Sequence, residues 1–175
     1  MAELQPDEIR LIDTPEGPAR VRLHRPAGEV RGTILLGHGA GGQKDSADLA
    51  RLGRRLPEAG WLTVLVDQPW RVAGKKVASL PPRLEAAFIP LAIELFDGPN
   101  ALPRPFVSGG RSAGARVACR TAAVVAADAV VALSFPLHPP GAPEKSRFAE
   151  LATAVALSRP LVVVQGARDP FGSPA

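Results

Sequence analysis

Short apolar runs alternate with amphipathic stretches along most of the 175-residue chain. The runs that predict buried strands cover residues 31–36, 62–66, 106–109, 129–134 and 161–165. Apolar positions at helical spacing between these runs predict four helices: one that stops at Gly60, one that starts at Pro81, one that follows Ser112 and one over 146–157. Because strands that alternate with helices of this length form βαβ units, we expect one α/β domain over residues 1–175, with a mostly parallel sheet and helices on both faces.

The first residues carry a different pattern. Residues 1–18 are polar and are interrupted by proline and glycine, which predicts a leading arm or the first strand of a hairpin. Residues 19–25 alternate between Val21 and Leu23 on one side and polar residues on the other, which predicts a half-exposed strand. His24 belongs to the polar side, so we expect a surface histidine at this position.

The segment Gly-Arg-Ser-Ala-Gly at 110–114 stands between the predicted strand 106–109 and an alanine-rich helix pattern. A serine on a strained strand-to-helix turn is exposed as a nucleophile, and glycines flank it because a Cβ would clash within so tight a turn. Gly110 and Gly114 occupy those two places, so Ser112 is the candidate nucleophile. The alternative is a serine that caps an ordinary helix.

A second glycine-rich segment, His-Gly-Ala-Gly-Gly at 38–42, follows the strand predicted at 31–36. Glycines such as Gly39 let a loop curl so that a backbone N–H points at a developing oxyanion. One donor of such a hole would be the N–H of Ala113, the residue after the serine. The second donor would be the N–H of Ala40 or Gly41, and Ala40 is the first choice.

The same loop permits a different interpretation. Gly37, Gly39 and Gly42 satisfy G-x-G-x-x-G, and Asp67 ends the next predicted strand. A dinucleotide-binding protein would place the glycines against a pyrophosphate and the acid against a ribose hydroxyl. However, several residues separate the last glycine from the predicted helix, which weakens delivery of the helix dipole to a phosphate. This alternative predicts that the protein binds NADH.

Composition excludes several classes of protein. The formal net charge is +4, but the arginines are scattered and aromatic residues make up only 5%, so we expect no nucleic-acid partner. No apolar run has the length of a membrane span and the polar start is no signal peptide, so we expect a cytoplasmic protein. The only cysteine, Cys119, lies in a helix pattern and is expected to be buried. The abundance of alanine, arginine and glycine favours a bacterial source.

Asp169 follows the strand predicted at 161–165. A serine followed by an acid after a later strand fits the chain order of one class of catalytic triad, so we expect Asp169 to be the triad acid. The alternative is an acid that only forms an Asp-Pro turn. The further candidate pocket residues are His38, Trp70, Arg111, Phe135 and His138, with Lys75 or Lys76 available to an acidic substrate.

Four segments together resemble a known family. They are HGAGG at 38–42, GRSAG at 110–114, FPLHPPG at 135–141 and QGARDPFG at 165–172. They look like the small α/β-hydrolases related to dienelactone hydrolase, and more narrowly the group that includes testis-expressed protein thirty and the hydrolase-like domain of an NSL-complex subunit. The resemblance covers the chain from about Arg31 onward. It implies a three-layer α/β-hydrolase fold, a nucleophile at Ser112, an acid at Asp169, and no metal or organic cofactor.

The family pattern also places a histidine beyond the acid, after one more helix and strand, whereas this sequence ends at Ala175. His38 belongs to the predicted oxyanion loop, and His138 precedes the acid. We therefore expect a domain truncated at its C-terminal edge. The run at 161–165 should then be an exposed apolar edge strand, which makes a homodimer a candidate assembly.

The function predicted from these patterns is a serine hydrolase. It would cleave an ester, thioester or related acyl bond of a small substrate through an acyl-enzyme. The first alternative is a catalytically silent hydrolase-like module that binds a protein partner. The second is the dinucleotide-binding protein that uses Gly37, Gly39 and Gly42.

Overall fold

A computed structural model of the chain describes residues 5–173. Its strands are β1 (Glu8–Ile12), β2 (Ala19–His24), β3 (Gly32–Gly37), β4 (Trp61–Asp67), β5 (Phe106–Arg111), β6 (Ala129–Leu133) and β7 (Leu161–Val164). Its helices are α1 (Ala47–Glu58), α2 (Pro69–Val72), α3 (Pro81–Asp97), α4 (Ala113–Thr121) and α5 (Phe148–Val155). Strands and helices therefore alternate from β3 onward, as the hydrophobic pattern predicts.

The strands form one seven-stranded sheet in the order β1-β2-β4-β3-β5-β6-β7. Strands β3 to β7 are parallel, and β2 is antiparallel to both of its neighbours. Because the carboxyl ends of parallel strands meet at one edge of a sheet, the loops that follow β3, β4, β5, β6 and β7 meet there. In open α/β sheets a ligand site is expected at this edge.

Helices cover both faces of the sheet. On one face, α1 packs Leu49 into a cluster with Leu36 and Leu65. On the other face, residues of α3, α4 and α5 join the larger core cluster. There, Phe96 of α3 stacks on Phe106 of β5 with ring centroids 3.7 Å apart. The predicted three-layer arrangement around a mostly parallel sheet is therefore confirmed.

The predicted elements lie within a few residues of the observed ones. α1 ends at Glu58, just before Gly60, and α3 begins at Pro81 with Pro90 inside it. β1 pairs with β2, which confirms the hairpin alternative over the part of residues 1–18 that the structure describes. Residues 1–4 of the predicted arm lie outside that part. The pattern does not predict α2, because a single turn is too short to show helical spacing.

One prediction for β2 is wrong, because His24 is buried, with 4% of its surface exposed. β2 lies inside the sheet between β1 and β4, and α1 approaches the face on which the polar residues lie. Arg22 on that face is partly buried and forms ion pairs with Asp45 and Asp67. The polar side of β2 therefore faces an ion-pair cluster rather than bulk water.

The opposite edge of the sheet is apolar. β7 pairs with β6 on one side only, and Val162, Val163 and Val164 are all exposed. This confirms the exposed edge strand that the sequence predicts. It also leaves a row of backbone N–H and C=O groups without a neighbouring strand among the residues that the structure describes.

Two predictions from composition concern burial and membranes. Cys119 is fully buried in α4, as predicted, and burial raises the pKa of its thiol to about 12. Among residues 5–173, no helix combines the length and the apolar character that crossing a bilayer requires.

Candidate active site

Ser112 lies in the turn between β5 and α4. Its backbone angles are φ 54° and ψ −109°, a conformation that residues other than glycine rarely adopt. The turn is fixed on both sides, because the Ser112 N–H donates to the Leu133 carbonyl at 2.9 Å and the Ser112 carbonyl accepts from the Arg116 N–H at 3.1 Å. A serine in such a strained strand-to-helix turn has the geometry of a nucleophile elbow.

Gly110 and Gly114 allow the elbow to pack directly against the end of β3. A Cβ on Gly110 would lie 2.6 Å from the carbonyl oxygen of Gly37. A Cβ on Gly114 would lie 2.5 Å from the carbonyl carbon of Gly37 and 2.9 Å from the carbonyl oxygen of His38. Real Cβ atoms essentially never approach closer than 3.0 Å. Only glycine therefore fits at either position without a shift of the backbone.

The glycine loop that follows β3 passes beside the elbow. A Cβ on Gly39 would lie 3.5 Å from the Cβ of Ser112. A cavity of about 10 Å³ separates the loop from the start of α4, and its lining includes Gly39, Ala40 and Ala113. This volume accommodates about one water molecule or oxygen atom. Ala40 and Gly41 are both exposed, but only Ala40 lines the cavity.

His38 connects the glycine loop to the end of β4. Its Nε2 accepts a hydrogen bond from the Gln68 N–H at 3.0 Å, so Nδ1 carries the proton and donates to the Gly39 carbonyl at 2.7 Å. Burial lowers the pKa of His38, which keeps the imidazole neutral. The ring meets Trp70 edge to face, with centroids 5.2 Å apart. The predicted pocket residues His38 and Trp70 thus support the loop and line the small cavity.

Asp67, at the end of β4, is buried and fully engaged. Its carboxylate accepts from Arg20 at 2.8 Å, from Arg71 at 2.9 Å and from Arg22 at 3.4 Å. Burial alone would raise the pKa of Asp67, but the three arginines outweigh burial and hold that pKa below its usual value. These bonds occupy the oxygens that a ribose hydroxyl would need. The structure therefore does not fit the dinucleotide-binding alternative.

Asp169 lies in the loop after β7 and lines the same cavity as Ser112. The cavity has a volume of about 620 Å³, and its other lining residues are Arg111, Ser134 and residues 166–171. One carboxylate oxygen of Asp169 accepts from the Phe171 N–H at 2.9 Å, and the other accepts from Gln165 Nε2 at 3.0 Å. Asp169 therefore shapes its own loop, as the turn alternative predicts, and it also lines the cavity that Ser112 lines.

Comparison with known protein families agrees with this geometry. A family model described as "Alpha/beta hydrolase domain" matches residues 30–175. The chain belongs to the alpha/beta hydrolase family. No curated protein matches its sequence significantly.

Solved structures with the same fold include several enzymes. A serine hydrolase homologue from Coxiella burnetii has a TM-score of 0.67 and 18% identity, over 95% of this chain and 76% of that chain. Dienelactone hydrolase from Anabaena variabilis has a TM-score of 0.66 and 21% identity, over 98% of this chain and 91% of that chain. Esterase 2 from Thermogutta terrifontis, phosphoramylated by tabun, has a TM-score of 0.64 and 12% identity, over 91% of this chain and 82% of that chain. At these identities the likeness shows the fold alone.

The remaining predicted pocket residues lie outside the cavity that Ser112 lines. Phe135 joins the main core and lines a separate apolar cavity of about 390 Å³ beside α5. The His138 N–H donates to the Phe171 carbonyl, and its ring Nδ1 bonds the Pro139 carbonyl at 2.9 Å, so His138 anchors a loop. Lys75 and Lys76 are exposed in the loop after α2. None of these four residues lines the cavity that Ser112 and Asp169 share.

The sequence reasoning missed the polar residues that hold the site together. Arg111, predicted only as a pocket residue, donates from Nε to Asp48 of α1 at 3.0 Å and so ties the elbow to that helix. Arg71 in α2 is buried and donates to the carbonyl of Lys44 in the loop before α1. Its spacing of four residues from Asp67 is a signal in the sequence, because the single turn of α2 brings Arg71 back beside the residue that ends β4.

Proposed function

We propose that this hydrolase cleaves an ester, thioester or related acyl bond of a small substrate with the hydroxyl of Ser112. The observation that carries the proposal is the cavity of about 620 Å³ that Ser112, on its strained turn, shares with Asp169. The serine Oγ forms a bond to the acyl carbon, and the leaving group departs with a proton. Water then hydrolyses the acyl-enzyme to the free acid and regenerates the serine.

Two backbone N–H groups would hold the oxyanion of the tetrahedral intermediate. Ala113 supplies one, because it is the first residue of α4 and its N–H lies at the positive end of the helix dipole. Ala40 supplies the other, because it lines the cavity of about 10 Å³ together with Ala113, whereas Gly41 does not. Removing one such donor typically lowers turnover by about 100- to 1,000-fold.

The proton of Ser112 needs an acceptor. The sequence has three histidines, of which His24 lies in β2 and His38 uses both of its ring nitrogens. His138 does not line the Ser112 cavity. We infer that Asp169 orients the imidazole that takes the proton, and that none of these three side chains provides that imidazole in the described structure. A serine hydrolase without its base retains only a small residual rate.

Fluorophosphonate labelling tests the serine-hydrolase proposal on protein expressed from the complete reading frame. We expect a single labelled residue, Ser112, and no labelling of Ser112→Ala. Ser108→Ala is the matched control, because Ser108 is fully buried in β5 and its hydroxyl is out of reach of the probe. An ester such as p-nitrophenyl acetate should slow the labelling by competing for the same serine. Labelling that persists in Ser112→Ala, or that never appears in the wild type, contradicts the proposal.

A second candidate function is a catalytically silent hydrolase-like module that binds a protein partner. It is favoured by the apolar edge at β7, where Val162, Val163 and Val164 are exposed. An open strand edge offers unpaired backbone groups to a strand from another chain. This candidate predicts no labelling by fluorophosphonate at any pH. The narrower resemblance to the group of testis-expressed protein thirty stays a prediction.

A further inference from the structure

The buried guanidinium of Arg71 bonds the end of the glycine loop that is farther from β3. The side chain of Arg71 is 2% exposed, and its Nη1 donates to Asp67 Oδ1 at 2.9 Å and to Asp45 Oδ1 at 3.0 Å. Its Nη2 donates to the carbonyl of Lys44. One side chain therefore joins the end of β4 to two consecutive residues at the far end of the loop. We call Arg71, Asp67, Asp45 and Lys44 the loop anchor.

Two arginines of β2 also pair with the carboxylates of the loop anchor. Arg22 pairs with Asp45 at 2.8 Å and with Asp67 at 3.4 Å, and Arg20 pairs with Asp67 at 2.8 Å. Two carboxylates are thus shared among three guanidinium groups in a largely buried site. Desolvation makes such an arrangement a weak source of stability compared with apolar packing. What distinguishes this arrangement is its fixed geometry, because each planar guanidinium sets the positions of the groups that it bonds.

The near end of the loop is held by the same segment of chain. His38 bonds the carbonyl of Gly39 and the N–H of Gln68, which directly follows Asp67. Gln43, in the middle of the loop, donates from Nε2 to the carbonyl of Lys75 at 2.6 Å. The part of the loop at Gly39 and Ala40 therefore lies between fixed points on both sides. It is also the part that passes beside Ser112 and lines the small cavity.

We propose that Arg71, held in place by Asp67, is a positioning residue for the oxyanion hole. It fixes the loop at Lys44 and Asp45, and so keeps Ala40 beside the small cavity that it lines together with Ala113. This inference rests on the proposed function, since it assigns the Ala40 N–H to the oxyanion. Arg71 itself does not line that cavity or the one at Ser112. It therefore acts through the loop and not on the substrate.

Steady-state hydrolysis of p-nitrophenyl acetate tests the role of Arg71, on protein expressed from the same complete reading frame as for the labelling. We expect kcat to fall by about 10- to 100-fold in Arg71→Met and in Asp67→Asn, with KM within about threefold of the wild type, because the oxyanion contact strengthens in the transition state. Arg71→Lys should lie between the wild type and Arg71→Met. An ammonium retains the charge for Asp67 and Asp45 but lacks the planar fork that also reaches the Lys44 carbonyl.

Asp128→Asn is the control for the loss of an aspartate–arginine pair far from the site. Asp128 accepts from Arg104 and from the Phe106 N–H, but it is exposed and lies at the opposite end of the strands. We expect it to lower the melting temperature without lowering kcat. If Asp67→Asn and Arg71→Lys keep kcat within about twofold of the wild type, or if Asp128→Asn loses as much, the positioning role is overturned.

Backbone NMR relaxation separates failure of this inference from failure of the proposed function. Order parameters of residues 39–45 should be close to those of a rigid backbone, about 0.85, in the wild type and should fall toward about 0.6 in Arg71→Lys, while those of β5 and α4 stay unchanged. This measurement needs no catalytic activity. A wild type that neither labels nor hydrolyses overturns the catalytic assignment, and unchanged order parameters in residues 39–45 overturn the loop anchor.

Discussion

The substitution Gly114→Ala tests the packing that creates the elbow. The new Cβ would lie 2.5 Å from the carbonyl carbon of Gly37 and 2.9 Å from the carbonyl oxygen of His38. Both are backbone atoms, one at the end of β3 and the other at the start of the glycine loop. Neither can rotate away as the end of a long side chain would, so either β3 or α4 must move. Gly114→Ala should therefore disturb stability and the site together.

The expected magnitude follows from this contact. Overpacking of a close-packed site costs about 1–3 kcal/mol, and a clash with backbone lies at the upper end, about 3 kcal/mol. In a domain of this size each kcal/mol lowers the melting temperature by about 2–4 °C, so Gly114→Ala should melt about 6–12 °C below the wild type. The same displacement moves Ser112 relative to Ala40. Fluorophosphonate labelling should then slow by about 10-fold or more.

Thermal melts followed by circular dichroism measure the first effect, and the time course of labelling measures the second. Gly28→Ala is the matched control, because the same methyl group would meet no atom within 4 Å there. Alanine at that position should be neutral or add up to about 1 kcal/mol by restricting the unfolded chain. A Gly114→Ala variant that melts within about 2 °C of the wild type and labels at the wild-type rate would refute this packing argument.

Three side chains give further checks. Because the pKa of His38 is lowered from 6.5, the unfolded state takes up a proton before the folded state does, so stability should fall as the pH drops below about 6.5. Between pH 7 and 5 the melting temperature should fall less steeply with pH in His38→Gln than in the wild type. His24, whose pKa is also lowered, should supply the dependence that remains. Cys119 should react with a thiol reagent only at the rate of unfolding, since it is buried and its pKa is about 12, and a faster reaction contradicts that burial. Val163→Lys should reduce self-association in light scattering with little change in melting temperature, and undiminished association argues against the β7 edge as its cause.

Much of the fold could be predicted because its central strands are buried on both faces. β3 and β4 are mostly apolar runs, and the glycines that follow α1 and frame the elbow are local requirements of the turns that they occupy. Gly110, Ser112 and Gly114 act within one turn, so their spacing in the sequence is their spacing in space. Asp169 could be placed at the correct edge of the sheet because it directly follows a parallel strand.

The failures have a common physical cause. Whether a polar residue is buried depends mainly on partners that are distant in sequence. His24 is covered because β2 is an inner strand, and Asp67 is bonded by Arg20 and Arg22 because β2 pairs with β4; only the pairing of Asp67 with Arg71 is local in the sequence. Phe135 does not line the Ser112 cavity, for a similar reason. Phe135 follows a strand at the correct edge, but its side chain joins the core.

The sequence by itself determined the alternation of strands and helices, the strained turn at Ser112 and the order of serine and acid along the chain. Each depends on side chains and backbone within a few neighbouring residues. The tertiary structure decided which residues share a cavity, which histidines are already engaged, and how the glycine loop is held. The hold on the glycine loop depends on the packing of β2, β4 and α2 against a loop that begins at β3. Most of its ionic contacts join residues more than 20 positions apart in the sequence, and such contacts leave no local pattern.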